Sequence, residues 1–140
     1  MDIETLAADG WTSRDAPGFT SAVGPFWRRG EGSTLEVGII VEPRHTNSNL
    51  GALHGGALMT FADICLGLRA ADAIGGSHCV TAQLQLQFVA TAPVGAFVSG
   101  KPELVRQTRD MVFVRSLITT GERTVASADG IWKILNPIEN

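Results

Sequence analysis

The sequence predicts an α+β fold, in which an antiparallel sheet curls around a single buried helix. One long apolar segment has the start and stop signals of a helix, and six other segments have the composition of strands. Four of those strands follow one another with no helix between them, which is typical of an antiparallel sheet. The 140 residues, 44% of them hydrophobic, suit one domain over 1–140.

Residues 1–18 are predicted to be a helical lead-in to the sheet. Residues 2–9 (DIETLAAD) form a short helix that Gly10 ends, and residues 13–18 (SRDAPG) have turn chemistry. The acidic start of the chain lacks the Lys or Arg and the apolar run of a signal peptide, so the protein is expected in the cytoplasm.

Two strands are predicted to follow as a hairpin, at 19–28 (FTSAVGPFWR) and 33–42 (STLEVGIIVE). The RGEG between them has the glycines of a tight turn, and Pro25 indicates a bulge or a sheet edge. Residues 43–54 form a long polar loop, and long loops in compact domains are often functional.

The central helix is predicted at 55–73, where the glycines at 75–76 end it. Asp72 lies in the last turn, at the unfavourable end of the helix dipole, and is expected to face water. Cys65 in the helix and Cys79 after it are expected to be buried small hydrophobes rather than a disulfide pair.

The remaining strands are predicted at 79–89, 95–107, 110–120 and 123–135. The first of them alternates, and its apolar face is predicted to carry Val80, Ala82, Leu84, Leu86 and Phe88. The opposite face carries Thr81 and three glutamines. An uncharged polar face of this kind fits either solvent or pairing with another subunit.

Composition excludes several classes of partner. The net charge of −3 and the lack of a basic run argue against nucleic acid, and no stretch approaches the roughly 20 apolar residues of a membrane span. His45, His54 and His78 lack the spacing of metal ligands, and there is no G-x-S-x-G motif of a serine esterase. No metal and no cofactor are therefore expected.

One aspartate, Asp63, interrupts the most apolar helix of the chain, in the segment HGGALMTFAD. A carboxylate in such a place costs several kcal/mol unless something pairs with it or uses it. On a helical wheel Asp63 lies on a stripe of small residues, which lets a backbone, a helix or a ligand come close. Gly67 on that stripe lowers the stability of the helix by about 1 kcal/mol relative to alanine. A close packing contact is therefore expected at Gly67.

The start of the helix is the second candidate feature. Gly55 and Gly56 leave their N–H groups accessible at the positive end of the dipole, where they can bind an anion or polarise a carbonyl. His54 stands at the entrance, to cap those amides, orient the loop or contact a ligand. About 12 Å of helix separates Gly55 from Asp63, so the two share a site only if a second subunit supplies one of them. The structural alternative makes Asp63 a buried hydrogen-bond acceptor and the glycines a tight turn.

The segment HTNSNLGALHGGALMTFADICLGL, followed by CVTAQLQLQFVATAPVG, resembles hotdog-fold acyl-CoA thioesterases, in particular their phenylacetate-pathway (PaaI-like) branch. The resemblance covers about residues 30–135, and its most specific element is H-G-G with an acid nine residues after the His. It implies a hotdog fold, a homodimer with one continuous sheet, and a homotetramer made of two dimers. The implied reaction is hydrolysis of a small, aromatic or medium-chain acyl-CoA thioester.

The same resemblance assigns roles to single residues. Asp63 matches the catalytic acid, as nucleophile or as the base that activates water. Gly55 matches the backbone donor to the thioester carbonyl, with His54 beside it. Asn47 matches the asparagine of the preceding loop by its H-T-N context, and Thr81 matches the strand hydroxyl that places water.

The chain departs from the family pattern at two places. Asn47 lies seven residues before the histidine of HGG, where the family usually has six, so Asn49 competes for the same role. The turn VRQTRD has Thr108 where relatives usually have glycine. Arg106 and Arg109 flank that turn and are candidates for binding the phosphates of CoA, although an ordinary solvated hairpin is the slightly favoured explanation.

Substrate contacts are also expected from Gly56 and Met59, with Phe88 and Trp27 as further candidates for the acyl pocket. Two rival functions belong to the same fold. A hydroxyacyl dehydratase or enoyl hydratase is disfavoured because the sequence has no H-F-P-G-like stretch. An acyl-CoA binding protein without turnover is disfavoured because such proteins typically lose the acid that Asp63 supplies.

Overall fold

The computed structural model describes residues 1–14, 16–47, 50–76 and 78–135, in which an eight-stranded antiparallel sheet packs against one long helix. The helices are α1 (Ile3–Ala8), α2 (Phe19–Val23) and α3 (Gly55–Ile74). The strands are β1 (Thr12–Arg14), β2 (Phe26–Arg29), β3 (Glu36–Ile40), β4 (Cys79–Phe88), β5 (Phe97–Gly100), β6 (Glu103–Gln107), β7 (Met111–Thr120) and β8 (Arg123–Ile134). The predicted α+β class is confirmed.

The strands lie in the order β1-β2-β3-β5-β7-β8-β4, and β6 pairs with β7 beside this path. β2 and β3 form the predicted hairpin, in which Trp27 lies opposite Gly38. Short 3-10 turns at Gly32–Thr34 and Pro43–His45 lie before and after β3. Within the described ranges β4 is paired only with β8, so this strand of ten residues forms one edge of the sheet.

Helix α3 begins and ends close to the predicted limits. His54 caps its start, and Gly75 ends it in the left-handed conformation (φ 74°) that glycine adopts without strain. The face toward the sheet is buried and consists of Leu58, Phe61, Ala62, Cys65, Leu66 and Ala70. Burying a side chain such as Phe61 contributes about 1.5–3 kcal/mol, so this face holds the helix on the sheet.

Gly67 has its packing reason within its own chain. A Cβ at this position would lie 3.2 Å from Trp132 Nε1 on β8, and Trp132 is itself buried. Glycine therefore allows the indole of β8 to lie against the helix. The stripe of small residues predicts a close neighbour, and at Gly67 that neighbour is the sheet.

Asp72 does not face water as expected, because the β2–β3 hairpin supplies partners for its carboxylate. Its side chain is 20% exposed, and Oδ2 accepts hydrogen bonds from Arg28 Nη2 at 3.0 Å and from the Gly32 N–H at 2.9 Å. These donors offset the unfavourable position at the end of the dipole. They also join the last turn of α3 to the hairpin.

The strand predicted over 19–28 is wrong in its first half, which forms α2. Pro25, which has no N–H to donate to a sheet, separates α2 from β2. The three carbonyls at the end of α2 accept hydrogen bonds from the side chains of Arg44 and His45. Long-range partners thus stabilise a helix that the local composition does not predict.

One predicted turn and one further predicted strand differ from the structure. β1 replaces part of the turn predicted at 13–18, because the edge of β2 offers it a partner. The single strand predicted over 95–107 is divided into β5 and β6, since Pro102 between them cannot donate to a ladder. The sheet therefore has eight strands where the sequence predicts six.

A β-bulge changes the predicted facing of β4. The pairing with β8 passes from Thr81 to Gln83 and leaves Ala82 unpaired, which shifts the alternation by one residue. Val80, predicted on the apolar face, is 48% exposed. The residues that face α3 and the core are Cys79, Thr81, Leu84, Leu86 and Phe88.

The opposite face of the sheet carries a second, smaller core. The predicted helix at 2–9 is confirmed as α1, which buries Leu6 against Trp11 and Trp27. Trp27, a candidate for the acyl pocket, packs in this second core.

The described ranges also bear on several chemical predictions. Cys65 and Cys79 are free thiols, the first buried and the second half-buried. No group of three or more His, Cys, Asp or Glu side chains is arranged there to hold a metal ion. Among the helices of the same residues, none has the length and hydropathy needed to cross a membrane.

Candidate active site

Asp63 lies in the middle of α3 and is half-buried. Thr81 Oγ1 on β4 donates a hydrogen bond to Asp63 Oδ1 at 2.5 Å, a short distance that is typical of donation to a charged carboxylate. Among the residues that the structure describes, Oδ2 accepts no hydrogen bond. One oxygen is therefore held by the sheet, and the other can take a proton or attack a carbon.

The start of α3 carries the second predicted group. His54 Nδ1 accepts a hydrogen bond from the Gly56 N–H at 2.8 Å, which caps the helix and places the proton of a neutral ring on Nε2. The Gly55 N–H has no acceptor in the described part of the chain. Of the two amides predicted as donors, Gly56 is thus used by the cap, and Gly55 remains available to a carbonyl oxygen.

β4 runs along α3, and each end of β4 lies near one of the two predicted catalytic residues of the helix. Thr81 contacts Asp63, whereas a Cβ on Gly55 would lie 3.6 Å from the ring of Phe88. Gly55 and Asp63 are roughly 12 Å apart along the helix. One chain therefore does not bring the acid and the amide donor to the same carbonyl.

The predicted loop asparagine, Asn47, is half-buried before the helix start. Its N–H donates to the Ala52 carbonyl at 2.9 Å, and its carbonyl accepts from the Gly51 N–H at 3.3 Å, so its backbone closes the loop. Asn49 lies outside the described residues, and the choice between the two asparagines stays a prediction. Met59 is half-buried on α3, one turn after Gly55.

Arg106 and Arg109 lie on the hairpin between β6 and β7, and both are exposed. One row of strand partners connects Gln107, Val112, Trp132 and Thr81, so the hairpin lies at the Thr81 end of the sheet, about 14 Å from Thr81. Within the described ranges neither arginine forms an ion pair. Both guanidinium groups are therefore open to an anionic ligand.

Sequence reasoning missed His45, which is 3% exposed. Its Nδ1 accepts from the Glu42 N–H at 3.0 Å, and its Nε2 lies 2.6 Å from the Val23 carbonyl oxygen, a pattern that fits a neutral ring protonated on Nε2. The His45 carbonyl in turn accepts from the His54 N–H at 2.8 Å. His45 thus joins α2 to the helix start, which a lone histidine in a polar loop does not indicate.

Comparison with known proteins identifies the family. The sequence model of the thioesterase superfamily matches residues 50–127. This range is more than half of the chain and includes all of α3 and β4. The chain belongs to the thioesterase superfamily. A superfamily relative from Pseudomonas aeruginosa, named "Putative esterase PA0474", is 32% identical over 114 residues, which are 80% of this chain and 84% of the relative.

Similarity to solved structures shows that this chain has the predicted hotdog fold. The conserved protein PA5202 from Pseudomonas aeruginosa has a TM-score of 0.76 at 22% identity, covering 86% of this chain and 95% of that one. Zebra fish thioesterase superfamily member 2 also has a TM-score of 0.76, at 21% identity over 86% and 88% of the two chains. A thioesterase protein from Streptococcus pneumoniae, solved with coenzyme A, has a TM-score of 0.68 at 23% identity over 78% and 84%.

Proposed function

We propose that the protein is an acyl-CoA thioesterase, which hydrolyses a small, aromatic or medium-chain acyl-CoA to the free acid and CoA. The observation that carries the proposal is the Thr81–Asp63 hydrogen bond, which holds one oxygen of a half-buried carboxylate and leaves the other open. Membership of the thioesterase superfamily supports the same chemistry, as does a neighbour of the same fold solved with coenzyme A. The PaaI-like branch is proposed on the HGG motif and its acid.

Asp63 is proposed to act in one of two ways. As a general base it takes a proton from a water whose oxygen attacks the thioester carbon; as a nucleophile it attacks that carbon itself, and water then hydrolyses the resulting anhydride. In both routes Gly55 N–H stabilises the negative carbonyl oxygen, the C–S bond breaks, and the CoA thiolate takes up a proton. Label from heavy-oxygen water in the Asp63 carboxylate would identify the nucleophilic route, because label enters that carboxylate only when water attacks the Asp63 carbon of an anhydride.

A second copy of the chain is proposed to complete each site. The open edge of β4 and the roughly 12 Å between Gly55 and Asp63 support a two-fold homodimer, in which β4 pairs with its counterpart. Each site then takes Asp63 from one chain and Gly55 from the other, and the two-fold axis creates two such sites. A homotetramer of two dimers is proposed on the family resemblance.

The remaining predicted residues are proposed to bind the substrate around these groups. Asn47 or Asn49 contributes an amide at the helix start, and Met59 lies one turn further along α3. Arg106 and Arg109 bind phosphates of CoA, which their exposure and lack of described acidic partners support.

The first experiment is release of free thiol from short, medium, long and aromatic acyl-CoAs by wild type and by Asp63→Asn. We expect wild type to turn over at least one ester and Asp63→Asn to lose about 100-fold or more in kcat, since an amide is a poor base and a poor nucleophile. The matched control is Asp9→Asn, which removes an exposed carboxylate beside α1 and is expected to leave kcat unchanged.

Two outcomes contradict the proposal. Near-normal kcat in Asp63→Asn excludes the catalytic role of this carboxylate. If a folded wild type releases no thiol from any ester but retains acyl-CoA in mass spectrometry, the protein is a binding protein without turnover.

A further inference from the structure

The start of α3 opens onto a cavity of about 410 Å³ whose opposite wall is α2. The helix side of the cavity consists of His54, Gly56, Ala57 and Thr60. The α2 side consists of Phe19, Ala22 and Val23, and the turn before the loop adds Arg44, His45 and Thr46. The volume lies in the range of small-molecule sites, and the lining residues His54 and Gly56 are the neighbours of Gly55 on either side.

Phe19 is the most exposed aromatic side chain of the described residues, at 70%. It lies at the first position of α2 and lines this cavity, yet it belongs to neither of the two hydrophobic cores. A phenyl ring that is left in water forgoes the favourable free energy of burial. A ligand that fills the cavity would cover the ring and recover part of that free energy.

The wall that carries Phe19 is fixed relative to the helix start by side chains with buried or long-range contacts. Arg44 donates to the carbonyls of Ala22 and Gly24, and His45 Nε2 lies 2.6 Å from the Val23 carbonyl oxygen. Through its own carbonyl, His45 also accepts the N–H of His54 at 2.8 Å. A shift of α2 would therefore break its bonds to Arg44 and His45, and His45 is also bonded to the capping residue of α3.

The same short helix borders a second, smaller cavity of about 290 Å³ further along α3. Thr20 and Phe26 line it from the α2 side, and Ile64 and Leu68 line it from α3. α2 thus separates two spaces along one flank of the helix that carries Asp63. A larger depression of about 540 Å³, lined by residues such as Ser99, Arg115 and Leu117, includes none of the predicted site residues.

We infer that Phe19 is a specificity-determining residue, whose ring contacts the acyl group of a thioester bound at the start of α3. The inference rests on the proposed function, because the ligand that reaches Gly55 is the thioester. The carbonyl binds at the helix start, and the acyl group extends into the cavity against Phe19, Val23 and Ala57. An aromatic or medium-chain acyl group reaches the ring, whereas an acetyl group is too short to do so.

The test is the acyl profile of Phe19→Ala, measured as kcat/KM with acetyl-CoA, hexanoyl-CoA and benzoyl-CoA. We expect kcat/KM to fall about tenfold for the two larger esters and to stay within about twofold for acetyl-CoA, as loss of one apolar contact predicts. The matched control is Leu117→Ala, which removes an apolar side chain of 58% exposure from the depression away from the site and should leave all three values unchanged.

Four results overturn the inference, and the last of them also removes the proposed function. An equal fall for all three esters makes Phe19 structural, and an unchanged profile removes it from the acyl site. A loss of the dimer in Phe19→Ala, seen by analytical ultracentrifugation, makes Phe19 a subunit contact. If wild type itself hydrolyses none of the esters, the proposed function fails together with the inference, whereas an active wild type with an unchanged profile removes the inference alone.

Discussion

Thr81 Oγ1 lies 2.5 Å from Asp63 Oδ1, and this hydrogen bond joins the edge strand of the sheet to the middle of the central helix. Hydrogen bonds to a charged group contribute about 1.5–3 kcal/mol, enough to hold the carboxylate in one rotamer. The bond therefore orients the oxygen that remains open. It also gives the bulge at Ala82 a role, because without the bulge the alternation set by Leu84, Leu86 and Phe88 would turn Thr81 away from Asp63.

Replacing the hydroxyl tests that role. We expect Thr81→Val, which keeps the shape of the side chain, to lower kcat about 10- to 100-fold, because Asp63 loses its orienting donor. Thr81→Ser keeps the hydroxyl and is expected to retain most of the activity. Steady-state kinetics with one good acyl-CoA measure both, and equal activity of the two variants would show that the hydrogen bond is not used.

The amide of Gly55 can be removed without changing the helix. Gly55 is the first residue of α3, where proline is favoured, and His54 before it already has the extended conformation (φ −69°, ψ 138°) that a following proline requires. We expect Gly55→Pro to lower kcat about 100- to 1,000-fold, since the carbonyl oxygen loses its donor.

Gly55→Ala is the control for that variant. It keeps the N–H, and its Cβ would lie at an ordinary contact distance of 3.6 Å from Phe88, so we expect activity near that of wild type. If Gly55→Pro folds, as circular dichroism reports, and turns over normally, the oxyanion role of this amide is wrong.

The arginine hairpin predicts a difference between two kinds of substrate. We expect Arg106→Ala to raise KM about three- to tenfold for a CoA ester and to leave KM unchanged for a pantetheine ester without the nucleotide, because the guanidinium group binds a phosphate. The control is Arg123→Ala, which removes an exposed arginine from the end of β8 that is far from the arginine hairpin. A rise of the same size for both substrates would place Arg106 elsewhere in the mechanism.

The buried thiol of Cys65 predicts a loss of stability at alkaline pH. Burial raises the pKa of Cys65 far above its ordinary value of 9.0 in the folded chain, so folding favours the protonated thiol. The resulting contribution to the free energy of unfolding is fully present below about pH 9 and is lost progressively as the pH rises above it. Urea unfolding at pH 7 and pH 10 should show a smaller alkaline loss in Cys65→Ala than in wild type.

Cys79 is the control in that comparison. Burial also raises its pKa, but the side chain is only half-buried, so Cys79→Ala should change the alkaline loss less than Cys65→Ala. An identical alkaline loss in all three proteins would exclude the thiols as its source.

Local signals were sufficient for α3, because its limits depend on a cap, an apolar face and the left-handed Gly75. They also pointed to Asp63 and Gly55, since a carboxylate in an apolar helix and glycines at its start need no tertiary information. α2 could not be predicted, because the bonds from Arg44 and His45 that stabilise it come from residues about 20 positions away. For the same reason the sequence did not indicate which residues of β4 face the core, because the bulge depends on the pairing with β8.

The separation of Gly55 from Asp63 along one rigid helix has a genetic consequence under the proposed dimer. A chain with Gly55→Pro and a chain with Asp63→Asn are each inactive alone, but a mixed pair holds one site with both groups intact. Random pairing of equal amounts should restore about a quarter of the wild-type activity. Two defective copies of the gene would then complement each other in one cell, whereas either copy alone would not.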